Sequence, residues 1–290
     1  MASAYYSDRV RGPRARSEER IDETLWEAIQ ALFQRGVDTA LFAQDFPIPC
    51  DDGKGVYACD REGLVATIRA EIPELGYHFY QRGLPPTLAI IDFLELMYRH
   101  ASEASEGSYH SYFDHHHLRF DRDAGRRALR ETVNRLLARS GSVYELDERG
   151  RAQRLVPSPV HDLLALELPP TRDAEFDRLL AVSARKYLDP DPAVRAEGLE
   201  KLWDAFERVK TLLHRDKKKG VSRLIEAATD GATPEETELL RTEMRTLTDI
   251  GNEFRIRHHE TRVSDLTTAS SDQLFVRMYA LLVRLHPAVR

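Results

Sequence analysis

Cysteine is scarce in this chain: only Cys50 and Cys59 occur, and they form no Cys-x-x-Cys pair. Two such residues cannot build a disulfide framework and read as free thiols in a reducing compartment. A zinc site drawing on them and on members of His115-His116-His117 lacks metal-ligand spacing, so neither metal nor cofactor is expected. Long apolar runs are missing as well. Nothing approaches the length needed to cross a bilayer, and the first residues lack the apolar core of a signal peptide, so no membrane association and a cytoplasmic location are expected. No Gly-rich phosphate loop, Ser-His-Asp pattern or paired-Cys metal motif occurs, and no repeat of 20 to 50 residues is apparent. Positive charge is not in excess either: the formal net charge of -6 argues against a surface that attracts nucleic acid everywhere.

What remains is an ordinary globular composition, 42% hydrophobic and 31% charged over 290 residues, with a length that suggests two domains. The chain reads as mainly α, with a helical N-terminal domain carrying a small β-hairpin and a C-terminal antiparallel helical bundle. Residues 1–16, rich in Arg, Ser and Gly, read as a disordered lead. Residues 17–168 form the first domain and 171–290 the second, with Val156-Pro-Ser-Pro and Leu168-Pro-Pro-Thr171 marking the boundary.

Within the first domain, a capping signal at Ser17-Glu-Glu opens a helix to about Arg35 that buries Ile21, Leu25, Ile29 and Leu32, with Trp26 and Phe33 flanking. Residues 46–55 read as a loop. Asp60 caps a second helix, and a third runs from Pro85-Pro-Thr87 to near His100. The loop 102–108 leads into 109–120, whose aromatics and four histidines either dock the segment onto the core or stack on a base. Arg126 to Arg139 is a further helix. Val143 to Leu146 and Ala152 to Val156 then form a hairpin, with Gly150 supplying positive φ. A helix followed by a hairpin also suits a DNA-binding wing, which the acids Glu145, Asp147 and Glu148 disfavour.

The densest chemistry lies at the end of a long helix opened by Thr233-Pro-Glu-Glu. Leu240, Met244, Leu247, Gly251, Phe254 and His258 make its apolar stripe, and Asn252, Arg255 and His259 a neighbouring one. Arg255, Arg257, His258, His259 and Glu260 complete a set able to cleave RNA, His acting as general base or acid and Arg steadying an anionic transition state. Cations also gather at helix C-termini because the exposed carbonyls attract them, so a solvated basic cap stays open as a second reading. His214-Arg-Asp-Lys-Lys-Lys219 is the strongest local basic patch. It reads as an inter-helix loop or a phosphate clamp, with Lys217, Lys218 and Lys219 as candidate RNA contacts.

Four pieces of sequence carry a family resemblance: Leu88 to Tyr98, His116-His-Leu-Arg-Phe120, Tyr144-Glu-Leu with Arg154-Leu155, and Ile250-Gly-Asn followed by His258. On these the chain resembles bacterial abortive-infection proteins of the AbiJ type, and residues from about Thr171 to Arg290 resemble the HEPN superfamily. The resemblance implies a phage-defence or toxin role, RNA as partner, a homodimer formed through the C-terminal bundle, a phage-derived or protein trigger, and metal-independent ribonuclease activity. The family's motif of an Arg, a polar residue and a His falls on Gly251, Asn252 and His258, so Gly251 departs from it. Arg255 or Arg257 would then hold the phosphate while Asn252 orients it and His258, assisted by His259, activates a ribose hydroxyl. Non-catalytic members of the superfamily bind RNA or dimerise, which implies the alternative of a binding module.

Overall fold

A computed structural model describes residues 5–76, 83–254, 256 and 266–290, and the chain divides into two compact units after Leu155. Both are mainly helical, as the apolar spacing predicts. The short helix at 158–164, assigned to the first domain from sequence, belongs to the second unit.

The first unit begins differently from expectation. Residues assigned to a disordered lead carry helix α1, Tyr6–Arg11, and are anchored beyond it. Arg16 donates from Nε to the Ser142 carbonyl at 2.7 Å and from Nη2 to that of Tyr144, and Glu18 pairs with Ser142 in an isolated parallel bridge. Arginine-rich sequence is disordered only while its guanidinium groups lack acceptors, and the carbonyls of 142 and 144 supply them. The expected capping signal at Ser17 is therefore spent on that bridge. Asp22 instead caps α2, Glu23–Asp38.

Helices α3 (Arg61–Glu71, capped by Asp60), α4 (Pro73–Gly76), α5 (Thr87–His100) and α6 (Arg122–Ser140) follow. Trp26 and Phe33, expected on the flank of α2, sit at the centre of the core: Phe93 of α5 meets their rings edge-on at 6.0 and 5.3 Å. Large flat side chains take the deepest positions because they remove the most apolar area from water, about 1.5–3 kcal/mol for a side chain such as Phe.

Three antiparallel two-stranded ribbons complete the unit: β1 (Pro47–Pro49) with β2 (Val56–Cys59), β3 (Glu103–His110) with β4 (His115–Asp121), and β5 (Tyr144–Leu146) with β6 (Ala152–Arg154). The last is the hairpin expected from sequence, turning at Gly150 with φ +76°. The other two replace expected loops. Ribbons of this size are marginal alone, and side chains brace them. Asn134 on α6 donates from its amide nitrogen to the Leu146 carbonyl at 2.9 Å and accepts from the Leu146 N–H at 2.8 Å, so one amide stands in for a strand partner. Asp45 joins the end of α5 to the start of α6: Arg122 donates to both its oxygens at 2.5 and 3.0 Å, and His100 Nδ1 lies 2.8 Å away.

The second unit holds α7 (Ser158–Leu164), α8 (Ala174–Tyr187), α9 (Pro192–Leu212), α10 (Lys217–Ala228), α11 (Pro234–Glu253) and α12 (Thr268–Leu285), closed by a 3₁₀ turn at His286–Val289. Helices α8, α10 and α12 all pack on α9, whose Leu202, Trp203, Phe206 and Val209 are buried. Tyr187 of α8 stacks on Phe275 of α12 at 3.9 Å and 5°. Helix α10 begins inside the segment read as an inter-helix loop, because Asp216 caps it by accepting from the Lys219 N–H.

Hydrogen bonds from Arg122, and then from His100, hold the Asp45 carboxyl below the usual carboxylate range against the opposing effect of burial. A depressed carboxylate stabilises the fold above its unfolded pKa, and that stability is lost as pH falls through the folded pKa. Asp45→Asn should therefore be less stable than wild type near pH 5, with the gap closing towards about pH 2. Urea unfolding across that range measures it; a constant gap would assign the loss to packing.

Candidate functional site

The expected nuclease site is only partly within view. Thr233 and Glu236 form a full capping box at the start of α11, and Leu240, Met244 and Leu247 face inward as expected. Asn252 lies exposed in the last turn. Arg255, Arg257, His258, His259 and Glu260 lie outside the described residues.

Gly251, the departure from the family motif, has a physical cause. A Cβ at this position would stand 2.2 Å from Nε1 and 2.8 Å from Cδ1 of Trp203. Trp203 is itself buried, so its ring cannot swing aside. The helix backbone is bare here because an indole fills the space a side chain would need.

The basic segment differs from the expected loop. Lys217, Lys218 and Lys219 form the first turn of α10, and they are not equivalent. Lys217 Nζ binds Glu207 Oε2 at 2.6 Å, Glu207 Oε1 binds Lys210 Nζ at 2.6 Å, and Lys210 Nζ reaches Thr248 Oγ1 at 2.8 Å. Lys210 is buried, with its ammonium 3.8 Å from the centre of the Phe206 ring. This chain of contacts ties α9 to α10 and α11. Burial pushes the Glu207 carboxyl up, but hydrogen bonds from Lys210 and Lys217 outweigh it and the net shift is downward. Lys217 is thus held internally. Lys218 and Lys219 are exposed and make no ion pair among the described residues, although the dipole at a helix N-terminus disfavours cations.

A different cluster forms in the first unit; the zinc idea set aside on spacing had named Cys50 and His117 but not Asp52 or His110. Cys50, Asp52, His110 and His117 each bring one ligand-type atom to a single point, all four within 4.8 Å of one another. The connection between β1 and β2 fixes the first two. The Cys50 N–H donates to the Gly55 carbonyl at 2.7 Å, the Gly53 N–H to that of Cys50 at 2.8 Å, and the Lys54 N–H to Asp52 Oδ1 at 2.9 Å. His110 pairs with His115 across β3 and β4, and the two-residue period of a strand puts His117 on the same face as His115. The three ring centroids lie 5.5 to 5.9 Å apart. Gly55 lets the turn close on this face, since a Cβ there would lie 2.6 Å from Cγ of His117.

Asp52 is held at about 2 by the Lys54 N–H, then by the Cys50 thiol and by His110, whose Nε2 lies 2.9 Å from Oδ2. Burial pushes the Cys50 thiol up. Cys59, paired with the histidines in the sequence-level zinc idea, is buried in the apolar core instead. The local signals were Cys50-x-Asp52 and His110 followed seven residues later by His117, but only two recognised hairpins would have joined them.

In the second unit a cleft of about 330 Å³ lies among Tyr187, Arg195, Leu199, Glu200, Phe254 and Phe275. Arg195 donates to the carbonyls of Asp189 and Pro190 at 3.1 and 2.7 Å, so its guanidinium holds the loop between α8 and α9.

Removing the Lys210 ammonium should leave Glu207 short of a partner beside a buried helix contact. Lys210→Ala is expected to cost about 3 kcal/mol in denaturant unfolding, with Lys210→Met recovering part of it by filling the space. Equal stability of Lys210→Ala and wild type would show that the contact from Lys210 to Thr248 does not hold α9 to α11.

Searched against protein-family models, curated proteins and solved structures, the chain gives no match.

Proposed function

We propose that this chain is an RNA-targeting protein of a bacterial phage-defence or toxin system, and that its C-terminal unit is a HEPN-like module that binds RNA and pairs as a homodimer. The observation that carries the choice of binding over cutting is the contact between Gly251 and Trp203. The family's catalytic Arg position has no room for a guanidinium in this helix, so the motif's arrangement for steadying a scissile phosphate is missing. Lys218 and Lys219 support the RNA part of the reading: two unpaired cations against the positive end of a helix are repelled by it, and a phosphate chain would offset that cost. The mainly helical second unit and its short connections suit such a module.

A second reading keeps catalysis. It is favoured by Asn252, which is exposed in the last turn of α11 and leads directly into Arg255, Arg257, His258 and His259. There Arg255 and Arg257 replace the missing motif Arg, and the two histidines move the protons. This reading is metal-independent, so it has a clean test.

Binding of labelled single-stranded RNA is followed by fluorescence anisotropy at several salt concentrations, for wild type and for Lys218→Glu with Lys219→Glu. The double variant is expected to bind at least about tenfold more weakly, with the log-log salt slope reduced by about 1.4, two phosphate contacts' worth. Unchanged binding would remove the basic turn from the site. Incubation of the same RNA in EDTA should leave it intact. Cleavage by wild type, lost in folded His258→Ala with His259→Ala, would replace the binding reading with the nuclease one. Gly251→Arg should lower stability by about 1–3 kcal/mol through overpacking against Trp203, measured by thermal melting; an unshifted midpoint would undo the packing argument.

A further inference from the structure

We propose that Cys50, Asp52, His110 and His117 bind one divalent transition-metal ion, zinc by preference, and that the ion clips the β1–β2 turn to the β3–β4 ribbon. The inference is independent of the RNA reading and concerns the other unit.

The donor set decides the class of ion. One thiol, two imidazoles and one carboxylate are the ligands of zinc and its borderline neighbours, whereas calcium and magnesium take oxygen almost exclusively. Ligand atoms within 4.8 Å of one another are close to a finished tetrahedron, since bonds of about 2.0–2.3 Å place tetrahedral ligands roughly 3.3–3.8 Å apart. The remaining contraction is about 1.5 Å at most for the widest pair, within the reach of side-chain torsions. Binding replaces the Cys50 thiol proton, which leaves to solvent, with a metal–sulfur bond, and the two imidazoles bind as neutral rings.

A plain polar cluster explains the arrangement less well. Among the described residues, His110 Nδ1 and His117 Nε2 are buried without a hydrogen-bond partner, and the same is true of Nε2 of neighbouring His115. Buried polar atoms are almost always paired, so three unpaired imidazole nitrogens on one ribbon face are a cost that hydrogen bonding inside the protein leaves unmet. A cation beside the thiol and carboxylate would draw one nitrogen from each of His110 and His117, a partner that the protein's own hydrogen bonds do not supply to this face. His115 lies just outside the four-atom group, stacked on Tyr57 at 4.4 Å and 13°, where it shields one side of the cluster.

Four protein ligands leave no open coordination position, which makes this a structural ion rather than a catalytic one. Its mechanical consequence follows from the ribbons. β1 and β2 contribute seven residues between them and β3–β4 carries a register shift between Glu106 and Tyr109, so neither is strongly self-supporting. An ion holding two residues of each turns two marginal ribbons into one cross-braced layer.

The full chain, purified and stripped with chelator, is titrated with Co²⁺ while absorption is recorded, then with Zn²⁺. One Co²⁺ per chain with a thiolate-to-cobalt charge-transfer band, displaced by Zn²⁺, is the expected result. The band should be lost in Cys50→Ser and in His117→Gln and kept in Cys59→Ser, whose sulfur lies outside the cluster. Zn²⁺ should raise the thermal midpoint of wild type and of Cys59→Ser but not of His117→Gln, a readout that holds if Cys50→Ser does not fold. A wild-type chain that gives no thiolate band, or a band that survives Cys50→Ser or vanishes in Cys59→Ser, would overturn the site.

Discussion

Helices α8, α10 and α12 all lean on α9, and two side chains of α9 set terms the neighbours must meet. Trp203 occupies space that α11 can yield only by carrying glycine at position 251. Lys210 brings a charge into the interior, which is tolerated only because Glu207 and Thr248 receive it. A large apolar ring and a buried ammonium are costly in opposite ways, one if the space is too small and the other if the acceptors are missing. Gly251 and Thr248 of α11 meet these costs together with Glu207 of α9 itself, so the unit is specified by a few exact partners as well as by a general apolar stripe.

The first unit solves a different problem. Its helices have a conventional aromatic core, but half of its connections are ribbons too short to be stable alone. The bracing comes from polar side chains used as backbone substitutes. The Asn134 amide reads both backbone groups of Leu146, the Tyr98 hydroxyl donates to the Glu148 carbonyl at 2.8 Å, and Glu95 accepts from the Ala152 N–H at 2.6 Å. The face carrying His110, His115 and His117 belongs to the same logic, since it sets a cluster of donors against a turn that Gly53 and Gly55 allow to close.

What was legible in the sequence is what depends on local periodicity. The stripe Leu240, Met244, Leu247 and the Thr233 capping signal gave α11 within a residue at its start, and Asp60 marked its helix opening because a cap is a contact between residues three apart. The β3–β4 ribbon was not legible: Glu103 to Ser108 offers Ala104 as its one apolar side chain beside glycine, and the ribbon's turn uses Asp114 with φ 52° in place of the usual glycine. The cluster of Cys50 and Asp52 with His110 and His117 was not legible as a whole for the same reason, because its two halves are nearly sixty residues apart and meet only once both ribbons exist. Gly251 was read as a departure from the motif the chain resembles, but nothing short of the fold relates it to Trp203.

The bridge between Glu18 and Ser142, with Arg16 reaching the carbonyls of 142 and 144, bears on how the chain is made. It closes a loop of more than a hundred residues, so the first unit cannot finish folding until nearly all of it has left the ribosome. Loops of that length raise contact order and slow folding. Until then the Arg16 guanidinium has neither carbonyl to hold. The second unit closes over a similar span, since the Arg172 N–H donates to the Val289 carbonyl at 3.5 Å and Tyr187 stacks on Phe275, but the hairpin of α8 and α9 can form as it emerges.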